Sequence, residues 1–162
     1  KQARRRARAI LRRRDAGALE TTEDLVAAVR EALPMVQGMP EEVRTVFQAI
    51  RMAVNEELRF LAEGLRQGAE ALAPGGGMVV ISFHSGEGRI VKQVFAGLSR
   101  KERLLHPDGR VRAVISPAFS LLTAKPVQPG QEEMVVNPRA KSAKLRAIAR
   151  ISQGDESHAR PE

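Results

Sequence analysis

Six consecutive residues, His84-Ser85-Gly86-Glu87-Gly88-Arg89, gather an imidazole, a hydroxyl, a carboxylate and a guanidinium. Together these groups can donate and accept hydrogen bonds, shuttle protons and hold anions. The run follows an apolar, β-branched stretch, Met78–Phe83 (MVVISF), which fits a strand covered on both faces, as in a parallel sheet. It precedes Arg89–Leu98, where Ile90, Val91, Val94 and Leu98 recur at helical spacing. Strand, polar turn and helix in that order place the turn beyond the carboxyl end of a strand, where open α/β sheets hold their ligands. His84, Ser85 and Glu87 are therefore the candidate catalytic residues. The plainer alternative for Ser85 and Glu87 is helix capping, with Ser85 as N-cap and Glu87 near the helix start.

Other chemistries fit less well. Gly86-Glu87-Gly88 approaches a dinucleotide-binding glycine pattern, but valine stands at the third position and Glu87 would repel a pyrophosphate. Phe83 occupies the position where a nucleophile elbow needs glycine. The three histidines, His84, His106 and His158, show no metal-ligand spacing, so no metal is expected. Five phenylalanines with no tyrosine or tryptophan do not make a base-stacking platform. Arg44, Gln48, Arg51 and Asn55 lie four, three and four residues apart, forming one polar stripe opposite Val43, Phe47, Ile50 and Val54. A solvated face explains such a stripe. A run of donors with no acid between them also suits an RNA-facing role.

The charge distribution supports a polyanion partner. The 162 residues carry a net charge of +8, concentrated in two segments. Lys1–Arg14 (KQARRRARAILRRR) holds eight basic residues and no acid, and Asn137–Arg150 (NPRAKSAKLRAIAR) holds five more. The remaining chain is mildly acidic. Two basic segments on an acidic body point to nucleic acid or an anionic surface. No apolar run approaches the ~20 residues of a membrane-spanning helix, and there is no cysteine, which suits a reducing compartment. The expectation is a soluble, cytoplasmic protein. The sequence begins at lysine, so a processed or truncated product is one reading.

The elements that would position the turn can be read in outline. Lys1–Arg14 predicts a basic amphipathic helix packing Ala3, Ala7, Ile10 and Leu11. Thr21 with Asp24 resembles a capping box opening a helix over about Thr22–Leu33, with Leu25, Ala28, Val29, Ala32 and Leu33 inward. From Pro40 the apolar spacing runs through Leu65 without a clear stop, and Gly64 and Gly68 are the expected sites of a bend. Ser99–Arg112 reads as polar, with a turn at Pro107-Asp108-Gly109. Phe119–Ala124 reads as a strand, and Lys144–Ile151 as a half-buried edge strand. The tail after Ser152 is expected to be disordered. The fold class is α/β: a helical N-terminal portion followed by a partial sheet, with fewer strands than such a sheet normally holds.

Three stretches also resemble one family. VVISFHSGEGRIVK (Val79–Lys92), NPRAKSAKLRAIAR (Asn137–Arg150) and RTVFQAIRMAVNEEL (Arg44–Leu58) are similar to motifs of the bacterial S-adenosylmethionine-dependent methyltransferases. The members it resembles act on N4 of a cytidine in 16S ribosomal RNA, near the decoding site. The resemblance covers nearly the whole chain, with the motifs in the family's order. It implies a Rossmann-like methyltransferase fold interrupted by a helical, RNA-recognising insertion, with this chain as the C-terminal portion. Residues 1–45 would belong to the insertion, 46–152 to the methyltransferase domain and 153–162 to the tail. The glycine-rich cofactor loop and acidic ribose-binding residue would lie upstream of Lys1, leaving no cofactor-binding residue here. The implied partner is 16S rRNA in the small ribosomal subunit, with no membrane; a homodimer is left open. His84 and Ser85 would contact the target nucleotide. Arg44, Gln48, Arg51, Asn55, Arg89, Asn137, Arg139, Lys141, Ser142, Lys144 and Arg146 would contact RNA. Family members resemble S-F-H-S-L-E-D-R at the turn, whereas this chain has Gly86 and Gly88. The alternative reading is a non-catalytic basic RNA-binding module, and a more distant one is a nucleotide-dependent oxidoreductase.

Overall fold

A computed structural model describes residues 2–33 and 38–152. Pro34, expected to stop the second helix, and the tail after Ser152 lie outside the described residues. The chain divides into two compact units, Lys1–Glu57 and Leu58–Glu162.

The first unit is helical: α1 (Gln2–Asp15), α2 (Thr22–Glu31) and α3 (Glu41–Val54). α1 packs on α2, and α2 on α3, around Leu25, Ala28, Val29, Ala32 and Val43. The buried position of α1 is Ala9. Ala3, Ala7 and Leu11, expected inward, are exposed, and Ile10 is half-buried. Arginine stems account for the shift. Arg6 and Arg13 flank Ala9 with side chains only 16% and 32% exposed, reaching Glu42 (3.7 Å) and Glu31 (3.5 Å). Their methylenes cover apolar surface that larger aliphatic residues would otherwise fill.

The expected capping box opens α2. Thr21 Oγ1 accepts from the Asp24 N–H at 3.2 Å, and Asp24 Oδ2 accepts from the Thr21 N–H at 2.9 Å. The predicted long helix is instead two. Asn55 is the C-cap of α3, Glu56 takes a left-handed backbone (φ 48°), and α4 (Glu57–Glu70) begins directly after. A left-handed residue just past a helix is a common terminator, usually glycine, so the glutamate concealed the break. Gly64 and Gly68, the expected bends, lie inside α4. At Gly68 a Cβ would come within 2.8 Å of Met78 Cε, the movable end of a flexible side chain.

In the second unit, β1 (Gly77–Ser82), β4 (Phe119–Leu121) and β5 (Lys144–Arg150) form a sheet of order β1-β5-β4. Both outer strands are antiparallel to β5. Among the described residues β1 therefore has no parallel partner, and β5 is the central strand, not an edge. α5 (Ser85–Leu98) packs on one face. Its Val91, Val94 and Phe95 join Leu65 and Ala69 of α4, Phe119 and Ile148 in one core, with Met78 and Val80 against it. Alternate residues of the β1 stretch turn away: Val79, Ile81 and Phe83 are 61%, 55% and 54% exposed. One layer of helices covers the sheet, so the continuous apolar run is covered on one face only.

Arg150 closes this unit. Its Nη1 donates to the carbonyls of Glu70 (3.0 Å) and Leu72 (2.7 Å), capping the end of α4. Four further elements were not predicted. β2 (Glu102–Leu105) and β3 (Val111–Ile115) form an exposed antiparallel hairpin, with a register shift at Leu104/Leu105. α6 (Gln131–Val136) precedes a short 3-10 helix, Pro138–Ser142. The predicted turn is present at the hairpin tip, where Gly109 has φ 85°.

The Asp24 carboxyl is held below its ordinary value, chiefly by the Thr21 backbone N–H and then by the Thr21 hydroxyl. A depressed carboxylate contributes stability above its unfolded value and loses it as pH falls through the folded one. Urea titrations of the full chain should therefore show a fall below about pH 4 that is smaller in Asp24→Asn. Equal falls in the two proteins would contradict this role.

Candidate functional site

The turn after β1 is held by reciprocal bonds between side chains and backbone. His84, not Ser85, is the N-cap of α5. Its Nδ1 accepts from the N–H groups of Gly86 (2.9 Å) and Glu87 (3.3 Å). Glu87 Oε2 reaches back to accept from Phe83 N–H (3.0 Å) and His84 N–H (3.2 Å). This is a capping box with histidine where serine or threonine is usual. Accepting N–H bonds at Nδ1 requires its lone pair, so the ring carries its hydrogen on Nε2. Ser85 is exposed, and His84 and Glu87 are half-buried. Of the three catalytic candidates, Glu87 is engaged with the backbone, while Ser85 faces solvent.

The dinucleotide reading of this turn loses its physical basis. A phosphate at a helix start needs the first free N–H groups, and the imidazole has taken those of Gly86 and Glu87. Among the described residues no group of histidines and carboxylates could hold a metal ion, and no helix is long and apolar enough to cross a membrane.

The fold brings the second basic segment to the same end of the sheet. Ser82, at the close of β1, pairs with Lys144, at the opening of β5. Ser82 is buried, and its Oγ donates to the Lys144 carbonyl at 3.3 Å. The chain just before Lys144 is the 3-10 turn, capped by Asn137 Oδ1 on the Arg139 N–H (3.2 Å). Arg139, Lys141, Ser142 and Lys144 are exposed there, as is Arg89 on α5. Arg146 sits opposite Val80 and is half-buried. Sequence reasoning missed Ser82, whose only signal was a hydroxyl ending an apolar strand. It also missed that Arg150, counted among the basic residues, is spent on the α4 cap.

The stripe on α3 lies in the first unit and is less open than its spacing implied. Glu57 accepts from Arg51 Nε (2.9 Å) and Asn55 Nδ2 (3.3 Å), so an acid from the next helix serves two of the four donors. Arg44 is exposed and Gln48 half-buried. A more basic surface of this unit is a cleft of about 600 Å³ lined by Arg4, Arg5, Arg8, Arg12, Glu31 and Ala32. Arg12 pairs with Glu31 at 2.9 Å. Arg4, Arg5 and Arg8 have no ion pair among the described residues. Like charges four apart destabilise a helix by a few tenths of a kcal/mol, a cost that an external polyanion would relieve.

His84→Ala should lower the stability of the chain by about 1 kcal/mol, the usual loss on removing an N-cap. His84→Asn, which can accept the same N–H groups, should retain most of it. Equal losses in chemical denaturation would contradict the capping role.

Comparison with known proteins places these features in a family. Residues 1–151 match the MraW methylase family. A curated relative from Acidiphilium cryptum, named ribosomal RNA small subunit methyltransferase H, is 44% identical over 157 residues. That match covers 92% of this chain and 49% of the relative. Relatives of the same name from Hyphomonas neptunium and Heliobacterium modesticaldum are 45% and 47% identical, covering 94% and 92% of this chain and 45% and 48% of their own lengths. The chain thus spans about half the length of the curated relatives it matches. These matches do not support the narrower expectation that it is the family's C-terminal portion, and that expectation is withdrawn. With the family matched across both units, the chain belongs to the MraW methylase family.

Proposed function

We propose that this chain is the RNA-facing part of a cytoplasmic, S-adenosylmethionine-dependent methyltransferase that modifies N4 of a cytidine in 16S ribosomal RNA. The observation that carries the reading is the convergence, at one sheet end, of the His84 turn and the exposed Arg139, Lys141 and Lys144. The relatives' shared name speaks of methylation of small-subunit ribosomal RNA, and the N4 cytidine comes from the sequence resemblance alone. The domain division expected from the resemblance, residues 1–45 and 46–152, is part of the same proposal.

The residues present do not fit the methyl donor. The glycine turn between β1 and α5 has its amides occupied by His84 and its carboxylate occupied by the backbone. The cofactor is therefore assigned to residues outside this sequence, and the chain's own part is to hold the acceptor. An exocyclic amine must be presented in line with its methyl donor, and a base reached by such an enzyme is taken out of its stack. His84 and the exposed Ser85 hydroxyl are the residues assigned to contact the extruded nucleotide. The lysines and arginines of the 3-10 turn fix flanking phosphates, which position without reading sequence. The half-empty sheet agrees with this division. Among the described residues no strand pairs with the outer edge of β1, and its outward apolar face is one that helices of a larger α/β domain would cover.

In the longer enzyme, His84→Asn keeps the cap and removes the imidazole. Methylation of small ribosomal subunits should fall about tenfold, the worth of one hydrogen bond in the transition state. Undiminished methylation would overturn the contact.

A further inference from the structure

The positive charge of this chain is not confined to α1 and the stretch Asn137–Arg150. Residues 100–112, which read as merely polar in the sequence, hold Arg100, Lys101, Arg103, Arg110 and Arg112 against Glu102 and Asp108. Most of them belong to the β2–β3 hairpin, a two-stranded sheet of its own. Every residue of both strands is exposed. The register sets Arg103 opposite Val114 and Leu105 opposite Val111, so these four share one face of the ribbon. The apolar side chains on that face are open: Leu105, Val111 and Val114 are 58%, 51% and 52% exposed.

A lone two-stranded hairpin is marginal in water. Neither face of this one is buried, so a partner must cover it, and charge selects the partner. Charged residues of either sign keep a free strand edge from pairing with another copy. Here one sign dominates, and one of the two acids is already used: Asp108 Oδ2 accepts from Arg110 Nε at 2.8 Å. Arg100, Lys101, Arg103 and Arg112 have no ion pair among the described residues. Three of these cations line an open cleft of about 790 Å³ at the foot of the hairpin, between Gly97 and Arg103.

We propose that the β2–β3 hairpin is a further RNA-contacting arm, whose Arg100, Lys101 and Arg103 hold backbone phosphates while Leu105, Val111 and Val114 lie against sugars and bases. The choice of ribosomal RNA as the polyanion rests on the function proposed above. α5 separates the arm from the His84 turn, and its 14 residues, at about 1.5 Å each, span about 20 Å. The arm therefore touches RNA away from the target nucleotide. It adds affinity and takes no part in methyl transfer, since phosphate contacts position without reading sequence.

The test compares two variants of the longer enzyme in binding and methylating small ribosomal subunits. Arg100→Gln/Arg103→Gln removes two cations from the arm, and Arg66→Gln/Lys125→Gln removes two exposed cations elsewhere in the same unit. The arm variant should bind about tenfold more weakly, with the slope of log affinity against log salt reduced by about 1.5, the share of two phosphates. KM should rise with it while kcat stays unchanged, and the control pair should match the wild type. Unchanged affinity and slope in the arm variant, or equal losses in the control, overturn the proposal. A photoreactive residue in place of Val114, on the Arg103 face, gives a second readout that does not depend on lost charge. It should cross-link to ribosomal RNA. Cross-links only to a second copy or to the rest of the enzyme make the ribbon a protein interface and overturn the proposal. An arm variant that binds normally, while His84→Asn lowers methylation, removes the arm and leaves the function. Subunit binding that needs the arm but yields no methylation leaves the arm and removes the function.

Discussion

The reciprocal hydrogen bonding between His84, Glu87 and the backbone around them is the constraint on which the site depends. It joins the end of β1 to the start of α5 through four bonds, two accepted by an imidazole nitrogen and two by a carboxylate oxygen. The box fixes where the chain turns from strand to helix. The direction of α5 then follows from Val91, Val94 and Phe95 seated against Ile148 and Phe119. Below the turn, the Ser82–Lys144 pairing sets the register that brings the second basic segment alongside. Displacing the imidazole would therefore loosen the helix start.

The same bonds sort the polar residues by role. Glu87 belongs to the backbone, and Arg150 belongs to the end of α4. Arg51 and Asn55 are shared with Glu57. Among the side chains facing water are Ser85, Arg89, Arg139, Lys141, Ser142 and Lys144 in one unit and Arg4, Arg5, Arg8 and Arg44 in the other. Net charge alone gave these groups equal standing, whereas their hydrogen-bond partners separate the structural ones from those open to a polyanion.

How much of this was legible depended on whether the signal was local. The Thr21–Asp24 capping box, the Pro107–Gly109 turn and the strand-turn-helix around His84 are encoded within a few residues, and the structure contains all three. Strand direction was not local. MVVISF reads as buried on both faces because its composition reports apolarity, while its pairing is set by β5, more than sixty residues away. The alternation in Lys144–Ile151 was taken for an edge strand, yet its partners on both sides come from distant segments. The helix break at Asn55–Glu56 was hidden because glutamate occupies a backbone conformation that usually announces itself by glycine. At the site, the position of the turn was readable. The exchange of roles between Ser85 and His84 was not, because serine is the commoner cap and the imidazole shows itself as one only through the N–H groups it accepts.

The central claim is that the His84 turn and the basic 3-10 turn form one RNA-facing surface at the end of the sheet. Amide NMR of this chain, titrated with a short RNA carrying the target cytidine at low salt, tests it most directly. The account predicts that resonances of residues 84–89 and 138–144 shift together and saturate at the same RNA concentration. Shifts confined to the arginine-rich helix α1, with both turns unmoved, would contradict it.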